Sequence, residues 1–451
     1  MKKLFIKTYG CQMNFYDSDH MSNLLYDHGY ETSEEIKEAD LIILNTCHIR
    51  DKAAEKMYSD LGRIKKNYEN NNLLKPIIAV AGCVAQAEGK EIIKRSPWVD
   101  LVVGPQAYTD LPKLIKKINK NSKKKEISLK FPEIPKFDSL KFDKKTGKVS
   151  DFVTIQEGCD KFCSFCVVPF TRGPEYSRSK KSILEEIKIM TQNGVKEIIL
   201  LGQNVNAWRD YSNKSKIYNL GSLIEDIAKI DEILSIRYTT SHPLDMDLDL
   251  IKAHKNVEKL MPYLHLPIQS GSDNILKKMN RKHTASEYLK IIELVKKYCE
   301  DIAISSDFIV GHPGETKEDH HKTLEIINEV KFASSYSFMY SERPGTKSSE
   351  LDDNVEYNLK KTRLYEIQNI LNHYQLAFNK KMENLDFPVL ITDKNKNFQF
   401  LGRSPYNQTV YINEETLPVK KPYEKLIGSI FNVKIIKSNQ KSLLGNFTNN
   451  D

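Results

Sequence analysis

The sequence predicts an α/β protein with three domains: an N-terminal domain built on a parallel sheet, a central partial (β/α)6 barrel, and a small antiparallel β-barrel at the C-terminal end. Apolar strand patterns alternate with helical patterns in the first and middle thirds, which indicates parallel sheets covered by helices. Polar residues collect after each strand of the middle third, as they do at the active face of a β/α barrel. From residue 381 onward, short strand patterns are separated by Gly and Pro, which is typical of a small barrel.

The chain has 451 residues, more than one hydrophobic core usually organises. We predict the N-terminal domain over residues 1–125, a polar linker over 126–149 and the central barrel over 150–380. The small barrel is predicted over residues 381–446, followed by a tail over 447–451. The net charge of +8 permits a nucleic-acid partner but is equally explained by a Lys-rich composition throughout.

The composition also indicates a compartment. Seven cysteines, an odd number in a long chain, argue against a disulfide framework and favour reduced thiols in the cytoplasm. The first seven residues are charged and have no long apolar core, so we expect no signal peptide. No stretch approaches the roughly 18 apolar residues of a membrane span. We therefore expect a cytoplasmic protein without a membrane partner.

In the first domain, three predicted strands each end at, or just before, a cysteine. The predicted strands cover residues 4–6, 40–47, 76–83 and 99–104, and the predicted helices cover residues 18–28, 51–68, 85–95 and 108–118. Ligands bind at the carboxyl edge of such sheets, and the amides at a helix N-terminus stabilise a thiolate. We therefore predict a metal site formed by Cys11, Cys47 and Cys83, with three independent buried cysteines as the alternative.

A second set of cysteines follows the first strand of the central barrel, predicted over residues 152–155. Cys159, Cys163 and Cys166 have the spacing C-x3-C-x2-C, and one compact loop can turn all three sulfurs toward a single point. Converging thiolates are ligands for an iron–sulfur cluster or for zinc. If the ligand is a four-iron cluster, three cysteines leave one iron open for a substrate or cofactor.

The rest of the barrel is predicted from its strands and helix caps. Further strands are expected over residues 197–201, 234–239, 263–267, 302–310 and 335–340. The pairs Ser182–Glu185 and Thr284–Glu287 match the capping box that begins a helix. His242 and His265 follow or end strands, where they serve either as structural hydrogen-bond partners or in catalysis, and Cys299 is predicted to lie in the core.

These motifs resemble the radical S-adenosylmethionine methylthiotransferases. The resemblance rests on the cysteine pattern and on the segments Y-G-C-Q-M-N at 9–14, N-T-C-H-I-R at 45–50, G-P-Q at 104–106, C-V-V-P at 166–169, T-R-G at 171–173 and M-N-R-K-H-T at 279–284. It implies two [4Fe-4S] clusters, one on each set of three cysteines. The cluster of Cys159, Cys163 and Cys166 would bind S-adenosylmethionine and generate a 5′-deoxyadenosyl radical, and the other cluster would present sulfur.

The resemblance also implies binding residues. Gln203 and Asn204 would lie beside the methionine end of the cofactor, with Ser241, Gln269 and Asp307 at neighbouring strand ends. The C-terminal barrel, with strand patterns at 387–391, 409–412 and 431–435, resembles the TRAM-like RNA-binding barrel that ends these enzymes. Arg403 and the lysines that follow are then candidates for phosphate contacts, and Tyr406 for stacking on an unpaired base; a structural cap is the alternative. The candidate lysines are Lys420, Lys421 and Lys425.

The activity that this resemblance implies is replacement of the C2 hydrogen of N6-isopentenyladenosine, next to the tRNA anticodon, by a methylthio group. A second S-adenosylmethionine would supply the methyl group, and an electron donor such as flavodoxin or ferredoxin would reduce the radical cluster. We expect a monomer that binds the anticodon stem-loop of tRNA. The alternatives are methylthiolation of threonylcarbamoyl-adenosine in tRNA and a zinc-stabilised RNA-binding protein without catalysis.

Overall fold

The structure is a computed structural model that describes residues 1–48, 51–120, 124–131, 136–139, 147–213, 215–395, 399–413, 416 and 426–448. The chain forms two compact units. The first contains residues 1–144, 157–160 and 167–176, and the second contains residues 145–156, 161–166 and 177–451. Among the described helices, none combines the length and apolar character that a membrane crossing requires.

The first unit is built on a six-stranded sheet in which every neighbouring pair is parallel, in the order β2-β1-β3-β4-β5-β6. Its strands are β1 (Lys2–Thr8), β2 (Tyr30–Thr32), β3 (Leu41–Thr46), β4 (Ile77–Gly82), β5 (Leu101–Val103) and β6 (Glu126–Ser128). Its main helices are α1 (Gln12–Tyr26), α2 (Asp51–Asn70), α3 (Cys83–Glu88), α4 (Lys90–Arg95) and α5 (Leu111–Lys120). Leu41 and Ile43 pack into one core, and Ile42 and Leu44 pack into another on the opposite face. The continuous apolar run of β3 is therefore buried from both sides.

The predicted α/β architecture is confirmed here, with differences at the ends of elements. Helix α1 begins at Gln12 rather than at residue 18, and Gly89 separates α3 from α4 where one helix was predicted. The three-residue strands β2 and β6 were not predicted, because so short a run carries no clear alternation. Strand β6 lies in the stretch that was predicted to be a linker.

Six parallel strands form the central barrel of the second unit. They pair in the orders β13-β10-β7 and β14-β15-β16, and an isolated parallel bridge between Ile236 and Leu260 joins the two sets. The six strands are β7 (Ser150–Thr154), β10 (Glu197–Leu201), β13 (Ser235–Tyr238), β14 (Tyr263–His265), β15 (Ala303–Val310) and β16 (Ser334–Met339). Four two-residue strands lie between them in the sequence and belong to separate two-stranded sheets: β8 (Gln156–Glu157), β9 (Tyr176–Ser177), β11 (Arg209–Asp210) and β12 (Tyr218–Asn219). The partial (β/α)6 barrel predicted from the sequence is thus confirmed.

Helices cover the outer face of these strands and share one large hydrophobic core with them. After α6 (Val168–Arg172), which belongs to the first unit, they are α7 (Lys180–Gln192), α8 (Leu220–Ala228), α9 (Leu248–Asn256), α10 (Asp273–Lys278), α11 (Ala285–Tyr298), α12 (Lys317–Val330) and α13 (Tyr357–Lys380). The capping box at Thr284 and Glu287 is confirmed at the start of α11. The capping box predicted at Ser182 and Glu185 is wrong, because α7 begins three residues earlier, with Ser179 as its N-cap. Asp210 accepts a hydrogen bond from the Lys180 amide and so holds the first turn of the helix at this earlier position. Cys299 caps the end of α11, half-buried against the core.

The C-terminal part of the second unit is a closed barrel in the order β17-β18-β19-β21-β20. Its strands are β17 (Asp386–Lys394), β18 (Phe400–Arg403), β19 (Thr409–Ile412), β20 (Ile430–Ser438) and β21 (Ser442–Phe447). All neighbours are antiparallel except β19 and β21, which are parallel. The predicted small barrel is therefore confirmed, with two strands more than the sequence pattern had indicated.

A buried ion pair attaches this small barrel to the central one. Arg237 on β13 donates from Nε to Glu197 Oε1 at 2.7 Å, and its two terminal nitrogens donate to the carbonyl oxygens of Pro405 at 2.9 Å and Ser404 at 2.8 Å. Burial raises the pKa of Glu197, but Arg237 and Arg403 outweigh that effect and hold the pKa below its usual value. The carboxylate therefore stays charged and keeps the guanidinium in place.

Candidate metal and cofactor centre

The structure brings Cys11, Cys47 and Cys83 to one edge of the first unit's sheet. Cys11 is the N-cap of α1 after β1, Cys47 follows the last residue of β3, and Cys83 is the first residue of α3 after β4. These three strands are neighbours, with Thr8 paired to Asn45 and Thr46 paired to Gly82 at their carboxyl ends. The strand order reverses between β1 and β3, which is where open α/β sheets bind their ligands.

Cys11 and Cys47 interact with each other, and Gly10 packs against Cys47. A β-carbon placed on Gly10 would lie 2.1 Å from Cβ of Cys47 and 3.1 Å from its sulfur, so only glycine fits beside this side chain. The pKa of the Cys11 thiol falls to about 6, first because Cys47 hydrogen bonds to it and then because Arg172 is near, although burial opposes the shift. Burial raises the pKa of the Cys83 thiol, and Arg172 partly offsets that rise. All three thiols and one guanidinium therefore share this edge.

Arg172 belongs to a buried charge network that consists of Asp17, Lys136, Glu157 and Arg172, all within the first unit. Arg172 Nη2 donates to Asp17 Oδ2 at 2.8 Å, and its Nη1 donates to Glu157 Oε1. Lys136 Nζ lies 3.0 Å from Asp17 Oδ1 and 2.8 Å from Glu157 Oε1. Burial raises the pKa of Asp17, but Arg172 and Lys136 outweigh it and hold the pKa below its usual value. The network thus keeps a fixed cation beside the thiols.

Among the described residues, no three His, Cys, Asp or Glu side chains form the tight group that would hold a single metal ion. A four-iron cluster is larger than one ion and holds its thiolates farther apart. Neighbouring thiols at one sheet edge, with a cation beside them, fit such a cluster in donor type and in charge.

The residues of the second cysteine set are fixed by local contacts. The Cys159 amide donates to the carbonyl oxygen of Gly173 at 3.3 Å, within the first unit. In the second unit, the Cys166 amide donates to the carbonyl oxygen of Cys163 at 3.0 Å, which closes a turn. The Asn280 side chain donates to the carbonyl oxygens of Lys161 and Phe162 at 3.3 and 2.8 Å. The turn that carries Cys163 and Cys166 is therefore held from the segment that follows α10.

The same segment supplies an arginine to this turn. Arg281 Nη1 lies 3.7 Å from the sulfur of Cys163, and its Nη2 donates to the carbonyl oxygen of Pro267. The side chain is buried, and its Nε has no hydrogen-bond partner among the described residues.

Gln203 and Asn204, predicted to bind the cofactor, follow β10 at the carboxyl edge of the barrel. Gln156 Oε1 accepts hydrogen bonds from both of their amides, at 2.9 and 3.1 Å. Asn204 Nδ2 donates to Asp245 Oδ2 at 2.7 Å, while its buried Oδ1 has no partner among the described residues. Asp245 in turn pairs with Lys161 at 2.7 Å. These hydrogen bonds hold the loop in place around the unpartnered Asn204 Oδ1.

Ser241 and Gln269 follow β13 and β14, and Asp307 lies inside β15, three residues before its end. The Ser241 hydroxyl and Asp307 Oδ1 are buried without a hydrogen-bond partner in the described part of the chain. Gln269 adopts a left-handed backbone (φ 79°), and its amide donates to the carbonyl oxygen of Asp307 at 3.0 Å. Because buried polar atoms are normally satisfied, these two atoms fit a polar cofactor at this edge.

The structure gives His242 and His265 hydrogen-bond partners. His242 Nδ1 accepts from the Leu244 amide at 3.2 Å, and burial lowers the pKa of its imidazole to about 2, so the ring is neutral. His265 Nδ1 lies 3.0 Å from the Ser305 hydroxyl. His283, which was not predicted to be a site residue, is buried with both ring nitrogens unpartnered among the described residues.

The two described residues predicted to bind RNA have partners within the second unit. Arg403 Nη1 donates to Asn407 Oδ1 at 2.9 Å, and its Nε lies 3.7 Å from Glu197 Oε2. The ring of Tyr406 packs edge-on against Phe378 and Phe387 and lines a cavity of about 590 Å³ between β16, α13 and the small barrel. Lys420, Lys421 and Lys425 lie outside the described residues. RNA binding by these side chains stays a prediction.

Arg172, Arg281 and Gln156 are site residues that the sequence did not predict. Arg172 lies in the T-R-G motif and Arg281 in the M-N-R-K-H-T motif, but an arginine in a polar loop gives no sign of whether it will be buried against a thiol. Gln156 could have been selected, since it directly precedes the second cysteine loop at the end of a strand.

Three family models match the chain in sequence. They are an uncharacterised protein family, UPF0004, over residues 3–104, the radical SAM superfamily over residues 153–327, and the TRAM domain over residues 380–448. The cysteine-bearing sheet, the partial barrel and the small closed barrel together define a radical SAM protein with a C-terminal TRAM domain.

Curated relatives match almost from end to end. The tRNA-2-methylthio-N(6)-dimethylallyladenosine synthase of Ehrlichia canis (strain Jake) is 51% identical over 449 residues, which cover 99% of each chain. The enzyme of that name from Rickettsia canadensis (strain McKiel) is 50% identical over 449 residues, 98% of this chain and 99% of the relative. The chain belongs to the family of tRNA-2-methylthio-N(6)-dimethylallyladenosine synthases.

Solved structures show the same fold at low identity. The radical S-adenosylmethionine methyltransferase TsrM from Kitasatospora setae superposes with a TM-score of 0.54 and 12% identity over 77% of each chain. The cobalamin-dependent S-adenosylmethionine radical enzyme OxsB gives a TM-score of 0.54 and 14% identity over 82% of this chain and 56% of its own.

Proposed function

We propose that this protein is a tRNA methylthiotransferase that converts N6-isopentenyladenosine, next to the anticodon, into its 2-methylthio derivative. The observation that carries the proposal is identity of about half of all residues, along the whole chain, to enzymes named for this product. The arrangement of the first unit supports it, since three cysteines meet at the ligand-binding edge of a sheet. The C–H bond to be replaced is unactivated, so the chemistry has to come from a cofactor rather than from acid–base side chains.

In this proposal each cysteine set holds a [4Fe-4S] cluster. Cys11, Cys47 and Cys83 hold the cluster that delivers sulfur, and Cys159, Cys163 and Cys166 hold the one that binds S-adenosylmethionine. When bound, S-adenosylmethionine supplies both the radical that abstracts hydrogen and the methyl group. The unpartnered Asn204, Ser241 and Asp307 atoms support their assignment to this cofactor. We assign Gln203 and Gln269 to the same site because they follow β10 and β14 at the same barrel edge.

The proposal includes partners. The anticodon stem-loop of tRNA is the substrate, with the TRAM domain contributing RNA contacts. An electron donor such as flavodoxin or ferredoxin reduces the cluster, because cleavage of S-adenosylmethionine consumes an electron. The enzyme acts in the cytoplasm as a monomer.

Metal analysis separates this enzyme from a zinc-stabilised RNA-binding protein. Protein purified under anaerobic conditions is expected to contain iron and acid-labile sulfide in equal amounts, enough for two four-iron clusters, and little zinc. One or two zinc ions per chain without labile sulfide would contradict the enzymatic proposal.

Nucleoside mass spectrometry identifies the substrate. We expect tRNA from a deletion strain to lose 2-methylthio-N6-isopentenyladenosine and to accumulate N6-isopentenyladenosine, with both levels restored by the intact gene. Loss of methylthiolated threonylcarbamoyl-adenosine instead would support the alternative substrate.

Single cysteine replacements are expected to separate the two half-reactions. Cys163→Ala should abolish S-adenosylmethionine cleavage and leave the iron of the first set in place. Cys47→Ala should leave reductive cleavage, measured as 5′-deoxyadenosine, but yield no methylthiolated tRNA. The half-buried Cys299 serves as the control, since Cys299→Ala removes a thiol that belongs to neither set. Equal loss of 5′-deoxyadenosine in the Cys47 and Cys163 variants would contradict the division of roles.

A further inference from the structure

Arg281 differs from the other buried arginines of the described chain. Five arginine side chains are buried: Arg172, Arg178, Arg237, Arg281 and Arg363. Four of them form an ion pair with a buried carboxylate, as Arg178 does with Glu186 and Arg363 does with Glu315 at 2.7 Å. Arg281 has no carboxylate within ion-pair distance among the described residues. It instead contacts the sulfur of Cys163, which lies 3.7 Å from Nη1.

A buried guanidinium without a counter-charge is costly, because burial removes its hydration and contacts with neutral groups replace that hydration only in part. The cost is removed if an anion comes to lie beside it. Cys163 provides that anion once its thiol is deprotonated and bound to iron, since a thiolate is the metal-binding form. The Pro267 carbonyl oxygen that accepts from Nη2 fixes the other end of the guanidinium, so that Nη1 stays directed at the sulfur.

We propose that Arg281 is the positioning residue that sets the reduction potential of the cluster on Cys159, Cys163 and Cys166. This inference rests on the proposed function, because it requires that these cysteines hold a [4Fe-4S] cluster. Hydrogen bonds to the sulfurs, and nearby positive charge, stabilise the more negative, reduced state of a cluster and so raise its potential. Arg281 contributes both, and it thereby makes the electron transfer that begins the reaction easier.

Lys161 offers a matched comparison in the same loop. It is a second cation two residues before Cys163, but its ammonium group is paired with Asp245 at 2.7 Å. K161Q leaves Asp245 without its cation, but both members of this pair are partly exposed, so that solvent screens the change. R281Q instead removes a buried cation that contacts the sulfur of Cys163. The two substitutions, R281Q and K161Q, change the formal charge equally and differ in their contact with the sulfur.

The test uses the full-length chain with C11A, C47A and C83A, so that only one cluster contributes to the signal. This parent and its R281Q, R281K and K161Q derivatives are reconstituted with iron and sulfide, and the midpoint potential is measured by EPR-monitored titration without S-adenosylmethionine. We expect R281Q to have a clearly lower midpoint than the parent. The midpoint potential of R281K should lie between those of the parent and R281Q, because lysine keeps the positive charge but lacks the planar guanidinium. The midpoint potential of K161Q should stay near that of the parent.

Each outcome bears on a separate claim. If the parent holds no iron and sulfide, the assignment of a cluster to these cysteines fails, and the proposed function fails with it. If the parent holds a cluster and R281Q has the same midpoint as the parent or as K161Q, only the role of Arg281 is overturned. An unchanged potential with weaker S-adenosylmethionine binding would overturn it too, since the guanidinium would then serve the cofactor alone.

The R281K variant covers the case in which circular dichroism shows that R281Q is unfolded. A midpoint potential of R281K equal to that of the parent would then overturn the role of Arg281. Loss of iron from both variants in folded protein would assign Arg281 to cluster assembly instead.

Discussion

Replacing Gly10 by alanine is expected to empty the metal centre of Cys11, Cys47 and Cys83 and to abolish methylthiolation. The new methyl group would lie 2.1 Å from Cβ of Cys47 and 3.4 Å from its Cα, and real β-carbons do not approach that closely. Either Cys47 or the turn that carries Cys11 has to move, and the thiols then no longer share one edge. The backbone adds to the effect, since φ at Gly10 is 105°, a region that L-residues avoid.

Gly29→Ala is the matched control. Gly29 also has a left-handed backbone, with φ of 86°, and lies in the same unit, but a β-carbon added there would have no neighbouring atom within 4 Å. It therefore carries the backbone strain without the contact to a cysteine. We expect G10A to retain half of the wild-type iron and G29A to retain all of it, as measured after anaerobic reconstitution. G10A should still form 5′-deoxyadenosine, because the other cysteine set is untouched.

The result would contradict the assignment if G10A kept the full iron content and still methylthiolated tRNA. Equal loss of iron in G10A and G29A would also count against it, because strain in the backbone would then explain the effect without any crowding of Cys47. Circular dichroism of both apoproteins checks that neither has lost the fold of the sheet.

The positions of the three cysteines could be predicted because each follows a recognisable strand. The run over residues 41–46 is apolar throughout most of its length and is buried on both faces, which is the signature of a central parallel strand. Once such strands are identified, their carboxyl ends have to meet at one edge, and Cys47 and Cys83 stand directly at two of those ends. Strand β6 was not predicted, because a strand of three residues at the edge of a sheet is too short to show an alternation of apolar and polar residues.

The charged groups around the cysteines could not be predicted from the sequence in this way. Arg172 and Asp17 are separated by 155 positions, and neither has a local pattern that marks it as buried. Arg281 and Cys163 are separated by 118 positions and meet only because the segment after α10 folds back over the cysteine turn. Metal ligands can be found from their spacing, whereas the residues that balance their charge depend on tertiary contacts.

The second large effect is expected in the buried charge network of Asp17, Lys136, Glu157 and Arg172. Arg172→Gln leaves two buried carboxylates with Lys136 as their remaining cation in the network. Breaking a buried ion pair by removing one partner typically costs about 3–5 kcal/mol, because the charge left behind stays desolvated. Hydrogen exchange in α1 should then accelerate by at least about 100-fold relative to wild-type apoprotein. Exchange in α11, which belongs to the second unit, should not change.

The control for this experiment is Lys94→Gln in the same unit. Lys94 pairs with Glu91 at 2.5 Å, but both side chains are more than half exposed. An exposed pair of this kind contributes at most about 1 kcal/mol, so exchange in α1 should stay close to wild type. If R172Q and K94Q have equally small effects, the network does not hold the unit together.

A double replacement separates an unbalanced charge from a lost contact. In the network, two cations face two carboxylates, so R172Q leaves one negative charge in excess and Asp17→Asn leaves one positive charge in excess. The double variant D17N/R172Q restores the balance with the pair of Lys136 and Glu157, although it has lost more hydrogen bonds than either single variant. We therefore expect it to be destabilised by clearly less than the sum of the two single changes. Additive costs would mean that each residue acts through its own contacts, and that the neutrality of the network contributes nothing.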